Sequence, residues 1–307
     1  MNTRDLEYLV AVADELHFGR AAERCHASQS ALSGQIRKLE DQLGVQVFER
    51  SKRHVQVTEA GAAVVAQARV ILRQVEGLHD LACSRRDPLA GHCTLGMPPT
   101  IGPYLTPRIL PALKEALPDL RLDLVEDFTD HLEEQLADGD LDLAILATTP
   151  THSTLTEIPL YDEPFWVALP AGHPLAEGET VQLEDIRPSD LLLLSDGHCL
   201  RDQIYQACKL DRTSSSDSGP RTKKTSLSTI LSLVGAGHGM TLVPAMSLSG
   251  AWVTDGGISI RREASGTAGR CVRLTHRKGY HRMALVERLV TVIRSVLPNT
   301  VRSTRRG

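Results

Sequence analysis

The chain has 307 residues, of which 41% are hydrophobic and 23% charged, the ordinary composition of a soluble globular protein. This length favours two or three compact units over one small core. The formal net charge of −4 at pH 7 excludes a chain-wide positive field, so a nucleic-acid site would need a local basic surface. The first residues lack the apolar run of a signal peptide, and no segment has the ~18 apolar residues of a membrane span. We therefore expect a cytoplasmic protein without a membrane partner.

The N-terminal sixty residues carry short helical patterns that favour a helix-turn-helix. Ser28 follows a first short helix and can cap a second, whose buried stripe is predicted to be Leu32, Ile36, Leu39 and Leu43. Small polar side chains at the start of the opposite face would let the backbone approach base edges, which glutamine and arginine can reach. The residues expected to contact DNA are Arg20, Ser28, Gln29, Ser30, Ser33, Arg37, Arg50, Lys52 and Arg53.

Local charge supports this interpretation. From Arg20 to His54, seven lysines and arginines stand against four acids, a balance of +3 within a negative chain. The stretch ERSKRHVQVT predicts a basic hairpin or wing suited to phosphates. A solvated helical hairpin with an incidental run of charge is the alternative on these features alone.

A longer helix is predicted from VTEAG onward, with Thr58 as its cap and an end near Asp87-Pro88. Apolar residues recur along it at spacings of four and three, which is the a/d seam of a coiled coil: Val64, Ala68, Ile71, Val75, Leu78 and Ala82. Because the seam lies between two units, it predicts dimerisation. Packing on its own domain is the alternative.

Beyond Pro88 the pattern alternates between strands and helices. Strands are predicted at HCTLGM, LRLDLVED, LDLAIL, PFWVALP and DLLLLS. Helices are predicted at YLTPRILPALKEALPD and DHLEEQLADGD, and SLSTILSLVGAGHGMTLVP predicts a helix, a glycine turn and a strand. The alternation indicates an α/β unit with largely parallel sheets. The polar stretch DRTSSSDSGPRTKK predicts a loop.

The six cysteines do not indicate a structural disulfide framework in a reducing compartment. They contain no CxxC pair, so neither a metal site nor a cofactor is predicted. Four are expected to be small buried apolar side chains: Cys25, Cys83, Cys93 and Cys271.

The other two cysteines lie in DGHCLRDQIYQAC, nine residues apart. The segment between Cys199 and Cys208 has helical spacing, and nine helical residues advance about 13 Å along the axis. A disulfide needs Cα atoms within about 7 Å, so these thiols could bond only if the helix came apart. They are either two unrelated core cysteines or the two ends of a switch.

The stretch RAAERCHASQSALSGQIRKLEDQLGVQVFERSKRHVQVTEAG resembles the winged helix-turn-helix of LysR-type transcriptional regulators, except that Ser30 stands where the family more often has proline. The resemblance implies a winged helix-turn-helix at 1–58, a linker and dimerisation helix at 59–87, and a regulatory domain at 88–307. That domain would have two α/β lobes of periplasmic-binding-protein type, lobe I at about 88–163 and 268–300 and lobe II at about 164–267. The implied partners are double-stranded promoter DNA, RNA polymerase and further copies of the chain in a dimer or tetramer.

Within that family, GHCLRDQ followed by Cys208 resembles the peroxide-sensing members, as do TIGPYL, EDFTDHL and GAGHGMTLVP. This resemblance implies that hydrogen peroxide oxidises Cys199 and that Cys208 is the resolving thiol. It further implies a pocket lined by Thr100, Thr129, His198 and Asp202. Arg277 in THRKGY matches an arginine that faces this site, although the neighbouring His276 and Lys278 depart from the usual pattern.

The chemistry is reasonable without the family. A peroxide-reactive cysteine must be a thiolate, favoured by nearby positive charge or a helix start. His198 and Arg201 flank Cys199, and Gly197 places it at such a start. Oxidation to a sulfenic acid, followed by attack of Cys208, would require melting of the helix. The resulting rearrangement would change the spacing of the DNA-binding heads.

Two other functions compete with this one. A LysR-type regulator could bind a small anion between its lobes, with Ser226 and Thr229 at a helix start as donors. A thiol peroxidase with a DNA-binding domain would turn over many equivalents of peroxide. Nothing in the sequence supplies fast recycling of the disulfide, so we expect that the chain is not an enzyme.

Overall fold

A computed structural model describes residues 1–50, 54–84, 87–210, 225–249 and 257–304. The chain forms two compact units, Met1–Ala82 and Cys83–Gly307. Lys52, Arg53 and the whole of the predicted DRTSSSDSGPRTKK loop lie outside the described residues. Within the described ranges, no helix combines the length and low charge needed to cross a membrane.

The first unit contains a helical bundle, a two-stranded wing and a long helix. Its elements are α1 (Thr3–Glu15), α2 (Phe18–Arg24), α3 (Gln29–Leu43), β1 (Phe48–Arg50), β2 (Val55–Val57) and α4 (Glu59–Ser84). The Ser28 hydroxyl accepts the Ala31 N–H at 3.2 Å and so caps α3, as predicted. The Thr58 hydroxyl accepts the Gly61 N–H at 2.8 Å at the start of α4. The antiparallel β1–β2 hairpin is the wing that the basic segment predicts.

The core of this unit is the apolar face of α3 packed on α1 and α2. Leu32, Ile36 and Leu39 are buried as predicted. Leu43 is instead 40% exposed. It is the last residue of α3, and Gly44 ends the helix in the left-handed region with φ of +66°, so no further turn follows to cover its side chain.

The predicted seam of α4 divides into two parts. Ala68 is buried and Val64 and Ile71 are partly buried against the core of the first unit. Leu78, further along the same seam, is 67% exposed. The early part of the seam is therefore satisfied within the unit, whereas Leu78 remains an exposed apolar side chain. The side chain of Ala82 lies outside the described part of the chain.

The second unit has the strand–helix alternation that the sequence predicts. Its elements are β3 (Gly91–Met97), α5 (Gly102–Ala116), β4 (Leu120–Glu126), α6 (Thr129–Asp138), β5 (Leu143–Leu146), β6 (Leu155–Pro170), β7 (Thr180–Val181), α7 (Cys199–Ala207), α8 (Leu227–Gly235), β8 (Thr241–Pro244), β9 (Ile258–Glu263), β10 (Gly269–Arg277), α9 (Met283–Ser295) and β11 (Arg302–Ser303).

Two lobes arise because the long strand β6 is shared. The first half of β6 pairs with β10 and the second half with β8 and β9, and each half lies against a separate apolar core. The strand order is β4-β3-β5-β10-β6-β9-β7. The sheets are mixed rather than largely parallel. Strand β3 runs parallel to β4 and β5, but β10 and β6 are antiparallel to each other and to all their other neighbours among the described strands.

DLLLLS is not a strand. Its one ladder contact is an isolated bridge between Leu191 and Met240. Leu191, Leu192 and Leu194 are buried in the core of lobe II. A short apolar run signals burial, and burial alone does not distinguish a strand from an irregular segment packed under a lobe.

Candidate functional site

Cys199 is the first residue of α7 and lies where the two lobes meet. Its half-buried side chain packs against the core of lobe I, whereas Leu200 and Ile204 of the same helix belong to the core of lobe II. Gly197 has a φ of +93°, a conformation that glycine adopts without strain, and the turn there leads directly into the helix. The sulfur is thus held at a helix N-terminus, where the helix dipole favours an anion.

A buried arginine, Arg270, interacts electrostatically with this cysteine. Nη1 of Arg270 donates to Thr100 Oγ1 at 3.1 Å, Nη2 donates to the Thr100 carbonyl at 2.9 Å, and Nε donates to the Glu163 carboxylate at 2.7 Å. Burial by itself lowers the pKa of Arg270, but Glu163 and then Cys199 act against it and raise that pKa above its ordinary value. The guanidinium is therefore a buried positive charge, held by Thr100 and Glu163, that interacts electrostatically with Cys199.

Arg277, the arginine that the sequence places in the pocket, lies elsewhere. Its Nη1 donates to the carbonyls of Leu136 at 2.7 Å and Leu141 at 2.6 Å, at the end of α6. Arg277 and Arg270 stand at opposite ends of β10, about 23 Å apart at the usual rise per residue. The expectation for Arg277 does not match these contacts, and the structure instead brings Arg270 to Thr100.

Sequence reasoning missed Arg270 because its partner Glu163 is 107 residues away. The available signal was weak, since β10 carries three arginines and nothing local distinguishes Arg270 from the other two. A charged residue is rarely buried unless it is paired, so the pairing predicts a functional or strongly structural role.

The other predicted pocket residues gather at the starts of α6 and α7. The Phe128 ring packs edge-on against His198, with centroids 4.9 Å apart, and so brings the start of α6 beside that of α7. Thr129 is buried, and its hydroxyl has no hydrogen-bond partner among the described residues. Asp202 lies in the first turn of α7 and is exposed. A buried hydroxyl without a hydrogen-bond partner is available as a donor or acceptor to a small polar ligand.

Neither His198 nor Arg201 supplies the positive charge near Cys199 that the sequence led us to expect. Burial lowers the pKa of His198, and a hydrogen bond with the Thr225 backbone offsets this only in part, so the site favours the uncharged imidazole. Arg201 turns away, pairing with Asp196 at 3.1 Å and donating to the Leu194 carbonyl at 3.2 Å. The buried cation that interacts electrostatically with Cys199 is Arg270.

Cys208 lies at the other end of α7, where its N–H donates to the Ile204 carbonyl at 2.9 Å. Both cysteines are free thiols. The observed helix Cys199–Ala207 separates their Cα atoms by about 13 Å, well beyond the ~7 Å limit for a disulfide. Bond formation therefore requires α7 to unwind.

Reactivity of Cys208 should depend on whether α7 is folded. Burial, with a further contribution from Glu184, raises the pKa of Cys208 from 9.0 to about 11. The thiolate population, and with it the rate of iodoacetamide labelling, is expected to be about 100-fold lower in the reduced native protein than in urea. Equal rates in the two states, measured by peptide mass spectrometry, would contradict this prediction.

The raised pKa of Cys208 also determines how the stability of the reduced fold changes with pH. Because the folded pKa lies above the unfolded one, Cys208 contributes its full stabilisation of the reduced fold below pH 9 and loses it as pH rises towards 11.

The remaining cysteines differ in burial. Cys93 is buried as expected, Cys25 and Cys271 are half-buried, and the Cys83 side chain lies outside the described residues.

The predicted DNA-contacting residues lie on and beside α3. Ser28, Gln29, Ser30 and Arg37 are exposed, and Ser33 is half-buried. Arg20 is also exposed and pairs with Glu15 at 3.1 Å. The helix therefore presents a surface of small polar side chains and one arginine on the side opposite its buried stripe. The side chain of Arg50, together with Lys52 and Arg53, lies outside the described residues.

Ser226 and Thr229, the expected donors to a small anion between the lobes, form the cap of a helix instead. Ser226 Oγ accepts the Thr229 N–H at 3.3 Å at the start of α8, and the two hydroxyl oxygens are 3.1 Å apart. Ser226 and Thr229 are both exposed. Their hydroxyls are thus engaged with each other and with the helix start. In the part of the chain that the structure describes, no cluster of His, Cys, Asp or Glu has the arrangement of a metal site.

Comparison with known proteins agrees with this architecture. The family model described as "LysR substrate binding domain" matches residues 86–298, and the model "Bacterial regulatory helix-turn-helix protein, lysR family" matches residues 3–62. The "Hydrogen peroxide-inducible genes activator" of Dickeya chrysanthemi is 45% identical over 83% of this chain and 83% of that protein. The "DNA-binding transcriptional dual regulator OxyR" of Escherichia coli K12 is 42% identical over 96% of this chain and 95% of its own.

Among solved structures, a full-length OxyR variant from Pseudomonas aeruginosa superposes with a TM-score of 0.76 at 37% identity, covering 97% of this chain and 99% of that one. The similarity therefore extends over both units of the chain and includes the regulatory domain that carries Cys199. The chain belongs to the LysR family of bacterial helix-turn-helix regulators.

Proposed function

We propose that this chain is a DNA-binding transcriptional regulator that senses hydrogen peroxide through Cys199 and Cys208 and controls oxidative-stress genes. The observation that carries the proposal is the juxtaposition of Cys199, at a helix start, with the buried Arg270–Thr100 pair. Relatives named as hydrogen peroxide-inducible genes activators support it at up to 46% identity.

In the first step the Cys199 thiolate attacks one peroxide oxygen and the O–O bond breaks. The sulfur becomes a sulfenic acid, oxidised by two electrons, and the departing hydroxide takes a proton to become water. Arg270 is placed to stabilise the thiolate and the developing negative charge, and the Thr100 hydroxyl beside it can hold the peroxide by a hydrogen bond. The unpaired Thr129 hydroxyl is a second group available for that hydrogen bond.

In the second step the Cys208 thiolate attacks the sulfenic sulfur. An S–S bond forms, the S–O bond breaks, and a second water leaves, so one peroxide and two thiols give one disulfide and two waters. The step requires α7 to unwind, which exposes Cys208 and relieves the burial that raises its pKa. The loss of α7 from both lobe cores would then change how the lobes and the subunits pack.

The remaining parts of the chain fit a regulator. We assign 1–58 to a winged helix-turn-helix that binds double-stranded promoter DNA, 59–87 to a linker helix and 88–307 to the regulatory domain. The exposed Leu78 on the seam of α4 supports a dimer formed through this helix. Membership of the LysR family supports, as further parts of the proposal, a tetramer and a contact with RNA polymerase. The protein would react about once with peroxide and then wait for reduction, so it would not act as a peroxidase.

Peptide mapping by mass spectrometry without reductant tests this function. After about one equivalent of hydrogen peroxide, we expect a linked Cys199–Cys208 peptide while the described cysteines Cys25, Cys93 and Cys271 stay reduced. The Cys208→Ser variant should stop at a sulfenic acid that dimedone traps. The Cys199→Ser variant should form neither product and still bind DNA. Scattered oxidation without the linked peptide would refute the switch and favour an effector bound between the lobes.

A further inference from the structure

Helix α7 is tied to lobe I by a side chain in its middle. Nε2 of Gln203 donates to the carbonyl of Ala147 at 2.8 Å. Ala147 is buried and directly follows β5 of lobe I. The neighbours of Gln203 on the helix, Leu200 and Ile204, are buried in the core of lobe II. The hydrogen bond therefore crosses from a helix held by one lobe to the backbone of the other.

The hydrogen bond between Gln203 and Ala147 lies between the two cysteines along α7. Gln203 is four residues after Cys199 and five before Cys208, so neither cysteine can approach the other without moving it. Arg201, by contrast, bonds Leu194 and Asp196 on the segment that leads into the same helix. The Arg201 contacts can persist if the start of α7 moves together with that segment. The contact between Gln203 and Ala147 must break, because Ala147 belongs to lobe I.

We propose that Gln203 is a positioning residue that holds α7 helical against lobe I and thereby restrains the resolving step, in which Cys208 attacks the oxidised Cys199. The proposal rests on the proposed function. Because the bond exists only while α7 is folded against lobe I, it stabilises the reduced and sulfenic states and contributes nothing to the disulfide state. Gln203 then sets how readily a sulfenic acid becomes a disulfide, separately from how fast the peroxide reacts.

The two steps can be separated by variants. Gln203→Ala is expected to speed disulfide closure about fivefold, the factor that one net hydrogen bond contributes. It should shift the equilibrium with a dithiol buffer by a similar factor towards the disulfide. In a Cys208→Ser background, where only sulfenic acid forms, the rate of Cys199 oxidation should stay within about twofold. If Gln203 instead stabilised the reduced, sulfenic and disulfide forms equally, its replacement would change neither the thiol–disulfide equilibrium nor the ratio of the two rates.

Gln206→Ala is the matched control. Gln206 is an exposed glutamine of the same helix, so its replacement by alanine changes helix propensity by the same amount without touching Ala147. The full-length protein is mixed with hydrogen peroxide in a quenched-flow device, and the sulfenic and disulfide forms are quantified by mass spectrometry.

The outcomes separate the proposal from the function beneath it. If the wild-type chain forms no Cys199–Cys208 disulfide, the proposed function fails. If it does, but Gln203→Ala closes no faster than Gln206→Ala, the positioning role is refuted and the function stands. If Gln203→Ala instead slows only the first step, the positioning role is likewise refuted and Gln203 belongs to the peroxide pocket.

Discussion

Replacing Glu163 and Arg270 together by glutamine is expected to slow the oxidation of Cys199 by hydrogen peroxide about 100-fold or more. A preorganised donor at a developing negative charge contributes roughly 10²–10³ in rate, and Arg270 is the buried cation that interacts electrostatically with Cys199. The double variant is needed because the Arg270–Glu163 pair is almost completely buried, and removal of one charge alone costs roughly 3–5 kcal/mol in stability. The rate is measured by quenched flow in the Cys208→Ser background.

Arg277→Gln is the control for this prediction, since Arg277 is the arginine of the same strand that bonds the end of α6 instead of Thr100. It should leave the oxidation rate within about threefold even if it lowers the melting temperature, because its lost hydrogen bonds are structural. A slow Arg277→Gln together with a fast double variant would reverse the assignment of the two arginines. Thermal unfolding of each variant shows whether it is folded.

Arg37→Ala is expected to weaken DNA binding roughly 10-fold to 100-fold in both redox states, because an arginine contact to a base is worth about 1–3 kcal/mol of discrimination. Arg37 lies exposed on α3, the helix capped by Ser28. Affinity is measured on a duplex selected from a random pool by the wild-type protein, with a scrambled duplex alongside. The selected duplex should lose more affinity than the scrambled one.

Arg121→Ala serves as the control, because it removes the same charge from an exposed position on β4 of the regulatory domain. Its effect on either duplex should be small at physiological salt. If Arg37→Ala weakened both duplexes equally and lowered the salt dependence by about one unit, Arg37 would contact phosphate and the proposed base contact would be wrong.

Local chemistry in the sequence determined much of this protein. The caps at Ser28 and Thr58, the buried stripe of α3 and the strand–helix alternation all follow from interactions between residues within a few positions of each other. The helix between Cys199 and Cys208 is of the same kind, and with it the conclusion that the two thiols cannot bond until it unwinds.

Tertiary structure decided the rest, because the deciding contacts join residues far apart in the chain. The apolar run DLLLLS is a buried irregular segment because its leucines pack into a core whose other members are distant in the chain, and the sheets are mixed because β6 and β10 run antiparallel to their neighbours. Arg270 rather than Arg277 reaches Thr100, since the strand pairing that places Glu163 beside it spans 107 residues. Local spacing determines which side chains share one face of a helix or strand. Only the tertiary structure determines which charged side chain interacts with Cys199, and that side chain is Arg270.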